Sequence, residues 1–393
     1  MRLTRETLPT AFQAASAIQA SGDLIAAVGR WREIVTAAPE LAEAWRNFAD
    51  ALAALERFAQ AENAYRKAAT LRPDAQWALW GLAGFLQKTG RWTDAEPLFA
   101  KAMAVAPPSP QLRLAYGHLL LGIGDFARGW PLYESRIGLA GQGAEPPPLG
   151  REWQGEPIAG KRLLIWPEQG FGDQIQFVRY ALALQARGAD VTLACPPQLH
   201  ALFAELPLDV VSDEAASGRN PPGYWTLALS TPGRLDARLA DVTGEPYLAA
   251  PSSRRATWRG QVPRGSIGVA WRGRASHPND GHRSLPGPAS LEHLRQASGD
   301  LIDLTEPRGD FADLAAIVEQ LDLVITVDTA LGHLAGALGK PCWLLLPWYR
   351  QDWRWLQGRE DSPWYADHRL FRQQRPGDWT SVLDRVAKAL AER

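Results

Sequence analysis

The sequence predicts an α + α/β chain, with an all-helical repeat array at the N-terminus followed by two α/β lobes. Three observations carry this. Pro39, Pro73 and Pro107 recur every 34 residues within an Ala- and Leu-rich, helically periodic segment that ends near residue 137. A Gly- and Pro-rich stretch, "GLAGQGAEPPPLGREWQGEP" (138–157), then breaks the periodicity. Beyond it, short apolar runs alternate with helical ones, the pattern of parallel sheets covered on both faces.

The 34-residue spacing is the tetratricopeptide period, and the other positions agree with it. Trp45, Phe48, Ala49, Leu52, Ala61, Tyr65, Ala68 and Pro73 form one copy. Leu79, Leu82, Ala83, Leu86, Ala95, Phe99, Ala102 and Pro107 form the next. Ala27, Trp31, Ile34 and Pro39 are a weaker earlier copy, and Tyr116, Gly117, Leu120 and Tyr133 a degenerate last one. Small residues let paired helices approach, and aromatic residues fill the gaps between them. Each unit buries its face only on its neighbour, so the array is expected to form a short superhelix with a concave surface. That surface would bind a protein or peptide; a spacer or dimerisation arm is the alternative.

Composition narrows the class. The 393 residues are 46% hydrophobic with a formal net charge of −1, which supplies buried cores but no basic field for nucleic acid. Cys195 and Cys342 are far apart in apolar company, against a disulfide framework or thiolate metal site and in keeping with a reducing compartment. The N-terminal "MRLTRETLPTAFQAASAIQA" lacks the apolar core of a signal peptide, and no run is long enough to span a bilayer. A soluble, cytoplasmic protein without a membrane span is expected.

In the second half, "KRLLIW", "ADVTLACP", "LPLDVVS" and "YWTLALS" read as strands of a first lobe, with a helix in "PEQGFGDQIQFVRYALALQARG". After a Pro- and Arg-rich crossing, "SIGVAWRG", "GDLIDLTEP", "LDLVITVD" and "PCWLLLP" read as strands of a second, with helices in "DFADLAAIVEQ" and "ALGHLAGALG". Two such lobes place strand C-termini across a cleft, where ligands bind.

Two glycine-lined loops carry the candidate chemistry. In "EQGFGDQIQ" (168–176), Gly170 and Gly172 permit close backbone approach and positive φ, and the following helix start offers amides to an anion. A dinucleotide fingerprint fails here, because Ile175 occupies the third glycine position and the next strand ends without an acid. Asp173 is either an N-cap or a general base facing the cleft. Glu168, Gln169 and Gln174 flank it as cleft candidates. The second loop sets Asp328 and Thr329 at a helix mouth, with Gly332 and His333 in the first turn. They can seat a phosphate or serve only as caps and a structural imidazole. Between the loops, "WRGRASHPNDGHRSLP" (271–286) concentrates Arg272, Arg274, His277, His282 and Arg283, able to clamp a diphosphate or simply to be solvated. Trp271 and Asp352 are further cleft candidates.

Together with "VITVDTALGHLAGALGKPCWLLLPWYRQDWRWLQGREDSPWYADHRLFRQ", these features resemble bacterial tetratricopeptide-repeat glycosyltransferases with a GT-B, heptosyltransferase-like (family 9) catalytic module. The resemblance implies a GT-B fold of two Rossmann-like lobes. Its domains would be repeats at 1–137, a linker at 138–157, an acceptor-side lobe at 158–250, a crossing at 251–263 and a nucleotide-sugar lobe at 264–393. It implies Asp173 as the base, and donor binding by Gly170, Gly172, Arg283, Asp328, Thr329, Gly332 and His333. Arg283 stands where typical heptosyltransferases have Lys. The reaction implied is metal-independent inverting transfer with no cofactor beyond the nucleotide-sugar co-substrate, the acceptor being most simply a protein Ser or Thr hydroxyl held by the repeats. No D-x-D pair, the metal–nucleotide signature of the other major transferase fold, occurs in the chain. A non-catalytic scaffold with a degenerate nucleotide-binding module, and a glycan- or lipid-directed transferase, are the alternatives.

Overall fold

A computed structural model describes residues 4, 6–140, 150–217, 223–298, 301–306 and 308–393; most of the Gly- and Pro-rich stretch, at 141–149, lies outside them. The chain divides into two compact units, 1–119 and 120–393.

The first unit is a stack of helices in pairs: α1 (Leu8–Ala20) and α2 (Leu24–Ala37), α3 (Ala42–Ala54) and α4 (Phe58–Leu71), α5 (Gln76–Lys88) and α6 (Trp92–Val105). Helix α7 (Pro110–Gly122) straddles its end, and α8 (Phe126–Tyr133) lies wholly in the second unit. The small residues of the repeat do what the spacing requires: Ala49, Ala61, Ala83, Ala95 and Ala102 are fully buried where helices touch. Aromatic side chains bridge successive repeats, with Tyr65 and Phe85 ring centroids 5.2 Å apart and Phe99 stacked on Tyr116 at 5.6 Å. Trp45 is half-buried and donates its indole N–H to the Pro39 carbonyl (2.9 Å), tying a helix to the proline turn before it.

The second unit holds two five-stranded sheets, parallel throughout. The first contains β1 (Arg151–Glu152), β2 (Arg162–Trp166), β3 (Asp190–Cys195), β4 (Asp209–Ser212) and β5 (Tyr224–Leu227), in the order β1-β5-β2-β3-β4. The second contains β6 (Ile267–Ala270), β7 (Leu301–Asp303), β8 (Leu323–Val327), β9 (Cys342–Leu346) and β10 (His368–Arg372), in the order β10-β9-β8-β6-β7. All five residues of β8 are buried, as a central parallel strand covered on both faces must be. Its side chains alternate accordingly: Leu323, Ile325 and Val327 join one core with Phe371 and Trp379, and Val324 joins the other with Ile317 and Ala335.

Four elements escape the sequence pattern. β1 lies in the expected linker and is too short to show a period. β10 carries two arginines and a histidine among its five residues. The expected crossing at 251–263 contains a helix, Ser252–Trp258, and a C-terminal helix, Trp379–Ala391, covers the second sheet. Among the described residues, no helix is long and apolar enough to cross a membrane.

Candidate functional site

The two glycine loops leave the C-terminal ends of β2 and β8 and meet. Helix Phe171–Ala186 starts at Gly170, and helix Ala330–Ala337 starts at Thr329. A Cβ placed on Gly172 would lie 2.8 Å from His333 Cδ2 and 3.3 Å from the Ala330 Cα, so glycine is what lets the two helix mouths touch. The glycines are not there for left-handed backbone. Gly170 has φ −85°, and the positive φ expected of this loop falls on Gln169, at +59°.

Asp173 is the third residue of its helix rather than the N-cap. Its Oδ2 accepts from the Gly170 amide at 2.9 Å, the returning half of a capping box. Its Oδ1 is taken by the guanidinium of Arg354, which reaches across from the other lobe. Arg354 is buried, at 4% exposure, and lies at the centre of the junction. Its Nε donates to Gln176 Oε1 (2.8 Å), its Nη1 to both Asp352 oxygens (3.1 Å each), and its plane covers Trp353 at 4.5 Å. Burial alone would favour losing its proton, but the Asp352 and Asp173 carboxylates more than offset that and hold it charged. Asp352 also caps the short turn Trp353–Trp355 through the Arg354 amide (2.8 Å).

In the second loop, the Thr329 hydroxyl meets that of Thr326 at 3.1 Å; since Thr326 donates to the Val327 carbonyl (2.8 Å), Thr329 is the donor in the pair. Arg283 Nη1 donates to the Asp328 carbonyl at 3.0 Å, which brings the expected cation beside the helix mouth. The Asp328 carboxyl is pushed up to about 7 by burial and by the facing Asp352, against the opposing charge of Arg283. His333 is sandwiched: its ring stacks on Trp355 at 5.1 Å, and its Nδ1 shares a hydrogen bond with the Tyr365 hydroxyl at 2.9 Å. Burial, aided by the charge of Arg354, drives its pKa down to about 3, so at neutral pH the imidazole carries no charge. It can offer a hydrogen bond but not a cation.

Asp173, Gly170, Gly172, Arg283, Asp328, Thr329, His333 and Asp352 therefore gather at one junction. The remaining candidates stand elsewhere, which corrects their placement in the cleft. Glu168 is buried behind the loop, where both its oxygens bind Arg136 (2.7 and 3.0 Å) and one also accepts the Leu229 amide (2.8 Å). An acid beside a glycine loop reads as a cleft residue, but a fully buried guanidinium 32 residues upstream consumes it. Gln169 turns to the Tyr133 hydroxyl (3.3 Å). Gln174 lines a small internal void with Ile165, Phe177 and Phe203 beneath its own helix. Trp271 packs on the second lobe's core. Gly332 serves packing: a Cβ there would lie 3.0 Å from Leu344, and its carbonyl accepts from His368 Nε2 at 3.0 Å. Arg354, Tyr365 and Trp355 were missed as site residues, although "DWRW" and "SPWY" stand out in the sequence. Arg272 pairs with Glu306 outside the junction, while exposed Arg274 lies 5.7 Å over the ring of Phe171, between the two glycines of the first loop, and so borders it.

Two parallel α/β lobes meeting through glycine-lined helix mouths, following a helical repeat array in the chain, define a repeat protein with a two-lobed α/β module. Comparison with known proteins makes this particular. Residues 53–117 match the family model described as tetratricopeptide repeat, and residues 291–344 match that of glycosyltransferase family 9 (heptosyltransferase). These two matches, one in each half of the chain, support a tetratricopeptide-containing protein similar to family 9 glycosyltransferases. The glycosyltransferase match includes the second loop, with Asp328, Thr329 and His333, and not the first. Protein FlbA of Caulobacter vibrioides is 28% identical over 340 residues, 73% of this chain and 56% of that protein, so the chain spans little more than half of this curated relative. Among solved structures, a third of the chain is similar to MamA (16% identity, TM-score 0.31, 33% of this chain and 75% of that one). It is also similar to PilW, a type IV pilus biogenesis factor (20% identity, TM-score 0.32, 34% and 62%).

Proposed function

We propose that the second unit transfers a sugar from a nucleotide-sugar donor to an acceptor hydroxyl, with inversion and without a metal, and that the repeats present the acceptor, most simply a Ser or Thr side chain of a protein. The observation that carries this reading is the meeting of two glycine-lined helix mouths around one acid, Asp173, and two guanidiniums, Arg283 and Arg354. Helix N-termini and guanidiniums stabilise charge that builds on a leaving diphosphate, and the acid can take the acceptor's proton.

In this reaction the acceptor oxygen forms a bond to the anomeric carbon while the bond from that carbon to the phosphate oxygen breaks. The electron pair leaves with the nucleoside diphosphate, and the acceptor's proton passes to Asp173. Thr329 and neutral His333 donate hydrogen bonds to the leaving group, and Arg283 adds charge. Because Gly172 lies against His333 and Ala330, the donor enters by parting the loops.

The same tight contact, with both Asp173 oxygens engaged, favours a second reading: a nucleotide-binding scaffold without turnover. Incubation with a panel of nucleotide sugars separates the two. The transferase reading expects donor turnover in the wild type and none in Asp173→Ala or His333→Ala, each still folded. Full activity in both variants would sink the site assignment, and no turnover of any donor would favour the scaffold. Mass spectrometry of host proteins with and without this protein would identify the modified acceptor.

A further inference from the structure

We propose that Arg354 is a charge-exchange residue: it neutralises Asp173 while the site is empty and moves to the donor's diphosphate when the site fills, thereby releasing the base. The inference rests on the transferase reading and names a residue role beyond it.

The geometry that carries it is a buried cation whose partners differ in permanence. Asp352 comes from Arg354's own lobe, two residues away, and holds Nη1 through both oxygens. Asp173 comes from the other lobe, 181 residues away, and meets Nη2. When the loops part, the bond to Asp352 travels with Arg354 and the bond to Asp173 does not. Parting therefore uncovers one guanidinium edge and one carboxylate together, in a place that water has largely left, where uncompensated charge is costly.

A diphosphate entering between the helix mouths supplies the anion that the exposed edge lacks, in the bidentate geometry a guanidinium favours. The junction also contains a buried donor waiting for an acceptor. Gln176, fully buried, gives its Oε1 to Arg354 and leaves Nε2 without a partner among the described residues. The indole of fully buried Trp355, next to Arg354 in the chain, faces the Asp328 carboxyl instead. A fully buried amide N–H without an acceptor, beside a guanidinium that can be uncovered, is suited to an anion. Asp173 is released only when a donor is present, which couples activation of the acceptor to loading of the sugar.

The test measures binding of inorganic pyrophosphate to the full chain by calorimetry, with no transfer required. Asp173→Asn keeps the hydrogen bond to the Gly170 amide but removes the charge competing for Arg354. It should bind pyrophosphate more tightly than wild type, by about five- to tenfold, because one competing anion on the guanidinium is gone. Arg354→Gln should bind at least about tenfold more weakly than wild type, with Arg354→Lys between them as a check that a folded cation partly substitutes.

A structural ion pair predicts the opposite for the first variant, since losing Asp173's charge would loosen the junction. Unchanged or weaker binding by Asp173→Asn therefore overturns the proposal, even if Arg354→Gln fails to fold. Absence of pyrophosphate binding by the wild type overturns it as well. If the binding pattern holds but no nucleotide sugar is turned over, the exchange stands and the transferase reading falls; if turnover occurs without the pattern, the reverse is true.

Discussion

The loops at the ends of β2 and β8 occupy equivalent places in their lobes, yet different forces hold them. The first is pinned by charge: Glu168 to Arg136, both side chains without exposure, and Asp173 to Arg354. The second is pinned by packing. Gly332 lies against Leu344, a Cβ on Gly336 would fall 2.2 Å from the Tyr365 ring, and His333 is held between Trp355 and Tyr365. A charge-pinned loop fails abruptly when one partner is removed, because the other is left buried and alone. A packed loop fails in proportion to the volume added or removed. The first loop therefore has polar groups it can exchange for a ligand's, and the second is a fixed floor.

Removing one partner of the charge-pinned loop should have the largest effect. Arg136→Met leaves Glu168 buried without a counterion and should cost about 3–5 kcal/mol in denaturant unfolding. Adding Glu168→Gln to it should recover part of that loss, and a purely additive pair would show that charge is not what holds this loop. Gly172→Ala comes next, at about 1–3 kcal/mol, because the added methyl meets the backbone of Ala330 as well as His333. Gly170→Ala is its control. There the nearest atom is the Asp173 carboxylate at 3.2 Å, which can swing, so a loss equal to that of Gly172→Ala would argue against helix-mouth contact as the cause. Tyr365→Phe removes one buried hydrogen bond to His333 and should cost about 1 kcal/mol, read as a shift in Tm.

The last test is a slope with pH. His333 and His368 are lowered by burial to about 3 and about 4. In the unfolded chain both take up protons below about 6.5, while the folded chain refuses them until lower pH. Their contribution is fully present above about 6.5 and is lost as pH falls through 4. Asp328, raised to about 7, runs the other way, its contribution being present at low pH and lost as pH rises toward 7. Asp328→Asn should therefore steepen the rise in Tm between pH 4 and 6.5; a shallower rise would mean that the acid is not held protonated in the fold.

Features that repeat or lie close together in the chain were legible in advance. The 34-residue period named the helix pairs because the same small and aromatic residues recur where helices touch. Alternating apolar runs named β2 to β9, and glycines after strands marked both loops. The partners of those loops were not legible. Arg354 finds Asp173 from 181 residues away and Arg136 finds Glu168 from 32 away, distances at which no periodicity or spacing operates. For the same reason Glu168 read as a cleft residue, since its neighbours in sequence are glycines and its neighbour in space is an arginine. In sequence Asp173 fits a cap or a base; the fold uses it as a reciprocal cap and leaves its second oxygen to a cation.

Helix α8 has a practical consequence for anyone dividing the chain. Phe126 stacks on Trp364 at 5.7 Å, Trp130 abuts Trp353 at 5.5 Å and donates to the Ala237 carbonyl, and Arg136 follows directly. By period it is the second helix of a repeat; by contact it is part of the α/β module's wall. Scissors applied to the Gly- and Pro-rich stretch, where composition invites them, would strip that wall and orphan Glu168. A knife at residue 119 would split α7. The turn at 106–109, between α6 and α7, spares every helix, and a fragment beginning there keeps α8 and Arg136 with the lobes they line.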